Sequence, residues 1–182
     1  MKSLLILSLL LSSAAFSAPQ PAPKWRPATL RGITVGKSKL ADMVRKWGQP
    51  KWSRTSKPQA GEEERQVTWT NYERVGEFPG PTTVVSDSRT GVISRINFYP
   101  DRLTKEQTIA HFGAGYIVTR YAFDSCLDEE ESEPIYESPT GQLVSVEYRA
   151  RGIAIAVGNK DMVTKISYVS EPIGSTKSRC GH

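Results

Sequence analysis

The sequence predicts an α+β protein: two tandem units, each a short helix followed by three antiparallel strands, with one layer of helices on one continuous sheet. Three observations predict it. Helix punctuation recurs, because Trp47-Gly48 and Phe112-Gly113 stand at an offset of 65. A strand pattern recurs, because Ser94-Arg-Ile-Asn-Phe98 returns as Thr164-Lys-Ile-Ser-Tyr168 at an offset of 70. Between these marks, runs of alternating apolar and polar residues read as strands. The units fall at 30–100 and 101–171, between a Pro-rich linker (18–29) and a polar tail (172–182).

Residues 1–17 read as a secretory signal. Lys2 gives the positive start and Leu4 to Leu11 the apolar stretch. Ala15 and Ser17 then suit the two small-residue subsites for a cut after Ser17. The apolar run is far shorter than the roughly 20 residues of a membrane-spanning helix, and no Cys stands at the cut to take a lipid. The expected location is therefore periplasmic or secreted, with no membrane span and no lipid anchor. In such an oxidising compartment the two cysteines, Cys126 and Cys180, are expected to pair and pin the tail. The following segment, APQPAPKWRPAT, holds four Pro and reads as an extended linker.

The first helix is expected from Ser38 as cap, with Leu40, Val44 and Trp47 on one face; Gly48 stops it and Pro50 prevents continuation. The second is expected from the capping box Thr104-Lys-Glu-Gln107, with Ile109 and Phe112 inward and Gly113 as the stop. Strands are expected over 66–72, 82–87 and 92–99 in the first unit and over 143–148, 153–157 and 162–168 in the second. The segment 116–123 alternates well enough to be an extra strand. Alternation pairs Val67 with Trp69, Ile96 with Phe98, and Val144 and Val146 with Tyr148, and these sets are assigned to the core. The opposite face would then show Thr68, Thr70, Tyr72, Arg95, Asn97, Tyr99, Ser145, Glu147, Arg149, Lys165 and Ser167.

The segment Ile33-Thr-Val-Gly36-Lys-Ser38-Lys-Leu-Ala-Asp-Met-Val44-Arg-Lys-Trp47-Gly48-Gln-Pro50 resembles the opening of the SmpA/OmlA family, the small lipoproteins of outer-membrane β-barrel assembly. The shared features are a Gly, a Ser two residues on, a Val on the helix, and an ending of apolar residue, Gly, any residue, Pro. The resemblance implies short helices packed on a three-stranded antiparallel sheet. A tandem pair of such units is similar to the β-lactamase inhibitor protein architecture. The chain departs from the assembly lipoproteins in lacking their lipidated Cys.

Chemistry-bearing motifs are absent: there is no HExxH, GxSxG, P-loop or Cys-x-x-Cys. No catalytic residue, metal site or cofactor is therefore expected. His111 reads as a half-exposed helix residue. The acidic run Asp128-Glu-Glu-Glu-Ser-Glu133 lacks the spaced ligands and the Gly of a calcium loop and reads as solvated. The net charge of +5 is spread along the chain, without the basic stripe that nucleic acid requires, so nucleic acid is not an expected partner. Trp, Tyr and Arg are the residue types that carry interface energy. Trp52, Tyr72, Arg95, Tyr99 and Arg149 are accordingly the candidate protein-binding residues. The expected function is an exported, non-enzymatic protein-binding module of the cell envelope. An inhibitor of a secreted or periplasmic hydrolase, plugging a cleft with the acidic insertion or the loop 73–81, is the alternative. A small-ligand carrier or enzyme is a third.

Overall fold

The structure, a computed structural model, describes residues 25–56, 66–75, 77–124, 135–178 and 180. The leader, most of the linker, the acidic run and Cys126 lie outside the described residues.

The chain opens with a short hairpin, β1 (Thr29–Leu30) and β2 (Ile33–Thr34). The helix α1 (Leu40–Trp47) follows, then β3 (Trp52–Thr55), β4 (Val67–Tyr72), β5 (Thr82–Asp87) and β6 (Ile93–Phe98). The helix α2 (Lys105–Phe112) opens the second half. It is followed by β7 (Ile117–Phe123), β8 (Ile135–Glu137), β9 (Leu143–Tyr148), β10 (Ile153–Val157) and β11 (Val163–Val169). All strands from β3 onward join one antiparallel sheet in the order β3-β4-β5-β6-β11-β10-β9-β7-β8.

This corrects the expected α+β class. Among the described residues the fold is mostly β: eleven strands in two sheets, nine of them in one, against two helices of eight residues. The reasons are local. Gly48 and Gly113 adopt φ of +89° and +79°, a backbone region that side chains with a Cβ resist, so each helix ends after about two turns. Each half also supplies more strands than the three expected. The segment after each helix becomes a strand, β3 or β7, and β8 adds to the far edge. The expected linker is not free either: the Arg26 and Ala28 amides donate to the carbonyls of Ala150 and Arg151 at 2.8 and 3.0 Å.

The halves meet at β6 and β11, where Phe98 faces Ile166, Asn97 faces Ser167 and Ile96 faces Tyr168. Asn97 and Ser167 occupy the same place in the two halves, so a local two-fold relation passes between them. Ser167 Oγ donates to Asn97 Oδ1 at 2.8 Å across it.

The helices and the β1–β2 hairpin cover one face of the sheet. The core there holds Ile33, Met43, Tyr72, Val84, Ile96, Phe98, Val146, Tyr148, Ile153, Ile155 and Ile166. On α1 it is Met43, rather than Val44, that is fully buried, and Leu40 and Trp47 pack beside it. Lys39, not Ser38, is the cap residue; its amide donates to Asp42 Oδ2 at 3.2 Å. The α2 capping box forms as its sequence demands, with Gln107 N–H on Thr104 Oγ1 at 3.2 Å and Thr104 N–H on Gln107 Oε1 at 2.9 Å.

One strand faces the other way from expectation. Tyr72 is only 2% exposed and meets Trp47 edge-to-face at 6.2 Å, whereas Trp69 is 40% exposed. Thr70 and Thr68 turn inward with Tyr72, and their hydroxyls are matched by those of Ser53 and Thr55 at 2.9 and 3.1 Å. A threonine methyl packs well once its hydroxyl has a cross-strand partner, so Thr-x-Thr-x-Tyr serves as the core side of β4.

Candidate protein-binding face

The face of the sheet away from the helices is assembled by register. One cross-strand row runs Trp52, Asn71, Thr83, Asn97, Ser167, Ala154, Glu147, Ile117. At about 4.8 Å per strand this row spans roughly 34 Å. A second row runs Arg54, Trp69, Val85, Arg95, Val169. The middle of the face is small and polar. Its two ends carry the large apolar groups.

At the β3–β4 end, Trp52 is 47% exposed, and Arg54 and Arg95 are exposed in the Trp69 row. Trp69 lies across Val85, which is buried beneath its neighbours. Tyr99 follows β6 by one residue, keeps its alternation with Arg95 and Asn97, and is exposed; its amide donates to the Pro81 carbonyl at 3.0 Å. At the β7–β8 end, Ile117, Phe123, Ile135 and Leu143 are exposed.

Beside those apolar groups lies a closed polar network. Glu147 is 2% exposed and accepts from Tyr121 Oη at 2.5 Å, from Thr119 Oγ1 at 3.2 Å and from Arg149 Nε at 2.8 Å. Arg149 also donates to Glu137. Burial, and then the bond to Glu147, push the Tyr121 hydroxyl well above its usual range. Burial pulls the Arg149 guanidinium down, but its bonds to Glu147 and Glu137 outweigh that and hold its pKa above the ordinary value. The guanidinium is thus held charged, with Glu147 and Glu137 as its partners.

The tail closes the same edge. The chain leaves β11 at Val169, and by residue 176 it has reached β8, four strands away, where Glu137 N–H donates to the Thr176 carbonyl at 2.9 Å. That crossing is about 19 Å wide, within the roughly 23 Å that seven extended residues reach. Ser178 Oγ then donates to Asp124 Oδ1 at 2.5 Å. Cys180 is described and is not a free thiol; its expected partner Cys126, two residues beyond Asp124, lies outside the described residues.

The structure sorts the candidate residues. Trp52, Arg95 and Tyr99 lie on the open face and are exposed. Tyr72 does not belong there, because it is the core side of β4. Arg149 reaches the face but is engaged by Glu147 and Glu137. Trp69, assigned to the core from sequence, takes the place expected of Tyr72, and Arg54 stands beside it. The alternation of 116–123 and of 143–148 points to Ile117, Phe123 and Leu143, whereas the exposed Ile135 has no sequence signal. His111 pairs with Glu77 at 2.8 Å and stacks on Phe78 and Phe112, which ties the loop before β5 to α2.

Among the described residues no helix is long and apolar enough to cross a membrane, and no group of three His, Cys, Asp or Glu is placed to hold a metal ion. Compared with family models, with curated proteins and with solved structures, the chain matches none.

Proposed function

We propose that the chain is an exported, non-enzymatic protein-binding module of the cell envelope, and that it recognises its partner with the helix-free face of its sheet. One observation carries the reading: Trp52 and Trp69 stand exposed beside Arg54 and Arg95, on the face opposite the core. Exposed Trp and Arg together are the composition of interface anchors. The leader supports export, and the resemblance of 33–50 to the envelope assembly lipoproteins supports a role in that compartment.

Aromatic contacts running Phe78, Phe98, Tyr168, Phe112, Tyr148 at 5.5–6.3 Å pack α2 onto the sheet, and the cavity beside them, lined by Glu77, His111, Phe112, Arg151 and Tyr168, opens to solvent instead of being enclosed. This supports recognition by a surface over capture of a small ligand inside. Of the two segments expected to plug a hydrolase cleft, the acidic insertion lies outside the described residues and the loop 73–81 is tied down. Phe78 is buried, Glu77 is paired with His111, and the Pro79 carbonyl accepts from the Asp101 amide at 2.9 Å. A plugging loop must project, so this geometry argues against the loop 73–81 as the plug.

The test is a cross-linked pull-down with the protein exported from its own full-length chain, comparing the native sequence with Trp52→Ala/Trp69→Ala. The native protein is expected to capture an envelope partner that the variant loses. Equal capture by both would remove the face from the account.

A further inference from the structure

We propose that the partner surface received at the β3–β6 end of this face is acidic: a protein segment whose Asp or Glu side chains flank an apolar or aromatic residue. This rests on the reading of the open face as a protein-binding surface and names the chemistry it selects.

The argument is one of charge matching. Arg54 and Arg95 sit in one cross-strand row and bracket Trp69 and Val85. Three strand spacings separate them, about 14 Å. Lys165, on the adjoining β11, is also exposed on this face. Among the described residues none of these three cations takes part in an ion pair. The acids on the face are already engaged. Glu147 and Glu137 are held by Arg149. Asp87 accepts from the Thr90 amide and hydroxyl at 2.7 and 2.8 Å and from the Arg89 amide at 3.1 Å. Among the described residues the surplus on the face is therefore positive and lies around an exposed indole. Guanidinium groups recognise carboxylates through paired, charge-assisted hydrogen bonds. The apolar centre between them fits a side chain that the indole can cover.

A nucleic acid fits less well. A groove that follows a phosphate backbone needs a dense track of cations, and here three are spread over β3, β6 and β11. The residues between them, Thr83, Asn97 and Ser167, offer hydrogen bonds rather than charge.

The experiment is selection of a random-peptide display library on the exported full chain, with circular dichroism to confirm that each variant is folded. Enriched peptides are expected to carry acidic residues on both sides of an aromatic or aliphatic one, and to weaken as salt is raised. Arg54→Glu/Arg95→Glu should weaken them about tenfold or more. Arg54→Gln/Arg95→Gln serves the same purpose if the reversal does not fold. Neutral or basic peptides that need Trp52 and Trp69 but ignore both arginine variants would overturn the acidic partner and leave the binding face standing. Peptides indifferent to Trp52→Ala/Trp69→Ala would overturn both. Oligothymidylate binding as tightly as the peptides, and lost in the same arginine variants, would overturn the protein segment in favour of nucleic acid.

Discussion

In the second half of the sheet the buried Tyr148 hydroxyl donates to the Gly113 carbonyl at 2.8 Å; in the first half Tyr72 holds the matching place, and its buried hydroxyl has no partner among the described residues. The helix residue beneath differs too. Phe112 packs on Tyr148 and is capped by the Arg151 guanidinium, 5.6 Å from its ring centre. Trp47 packs on Tyr72, and its indole N–H is also buried and unpartnered. The same contrast extends to the open face. Glu147, with its network, stands where the first half has Asn71, and the tail and β8 cover that edge. Among the described residues nothing pairs with the outer edge of β3. One half has turned its polar groups toward itself. On the open face the other leaves Trp52, Trp69, Arg54 and Arg95 exposed, and among the described residues neither arginine takes part in an ion pair. Selection for stability satisfies polar groups internally, so the unsatisfied half is where function is to be sought.

This comparison can be sharpened by breaking each half in turn. The largest effect should come from the expected Cys126–Cys180 bridge. Reduction should cost about 2–4 kcal/mol on the chain-entropy estimate and speed hydrogen exchange at β8 and the tail, but not at β3. Two reactive thiols in the unfolded, unreduced protein would remove the bridge. Next is Arg149→Ala, which strands Glu147 in a buried site. A loss of about 2–3 kcal/mol in urea unfolding is expected, below the usual range for buried pairs because Arg149 remains 27% exposed. Arg54→Ala, in the open half, should change stability by less than about 0.5 kcal/mol. Equal costs would dissolve the contrast.

Smaller is the tyrosine pair. Tyr148→Phe removes a made hydrogen bond and should cost about 1 kcal/mol, whereas Tyr72→Phe removes an orphaned hydroxyl and should be neutral or stabilising. The smallest effect is on the acid side. The Thr90 amide and hydroxyl, then the Arg89 amide, hold the Asp87 carboxyl below its ordinary 3.8. Because its folded pKa is depressed, its contribution is present above 3.8 and lost as pH falls through the lowered value. Asp87→Asn should flatten that acid limb in a pH series of unfolding curves.

Much of the architecture was legible because it is punctuated. The stops at Gly48 and Gly113, the Thr104–Gln107 box and the strong alternation of 93–98 and 153–168 each specify their own geometry. On β6, β9 and β11 the apolar set is unambiguous, so Arg95, Asn97, Glu147 and Lys165 fall on the side of the sheet expected of them, although Asn97 and Glu147 are buried there and not open to solvent as expected. On β4 the two sets, Val67 with Trp69 and Thr68 with Thr70 and Tyr72, are equally amphipathic. Only contacts distant in sequence decide between them, namely Trp47 on Tyr72 and the Ser53 and Thr55 hydroxyls. The short strands β3 (four residues) and β8 (three residues) are defined by their pairing with β4 and β7, and the α+β expectation omits both. The binding residues were half legible for the same reason: Trp52, Arg95 and Tyr99 follow from local pattern, while Trp69 and Arg54 follow from register.

The account stands most directly on the affinity of a captured envelope partner for the native protein and for Trp69→Ala. Trp69 is 40% exposed and lies outside the buried core, so the variant should fold with near-native stability. If the open half is the binding surface, the variant should bind at least about tenfold more weakly. An unchanged dissociation constant, with binding lost instead in Ile117→Ser/Phe123→Ser, would place recognition at the opposite end of the face and contradict the account.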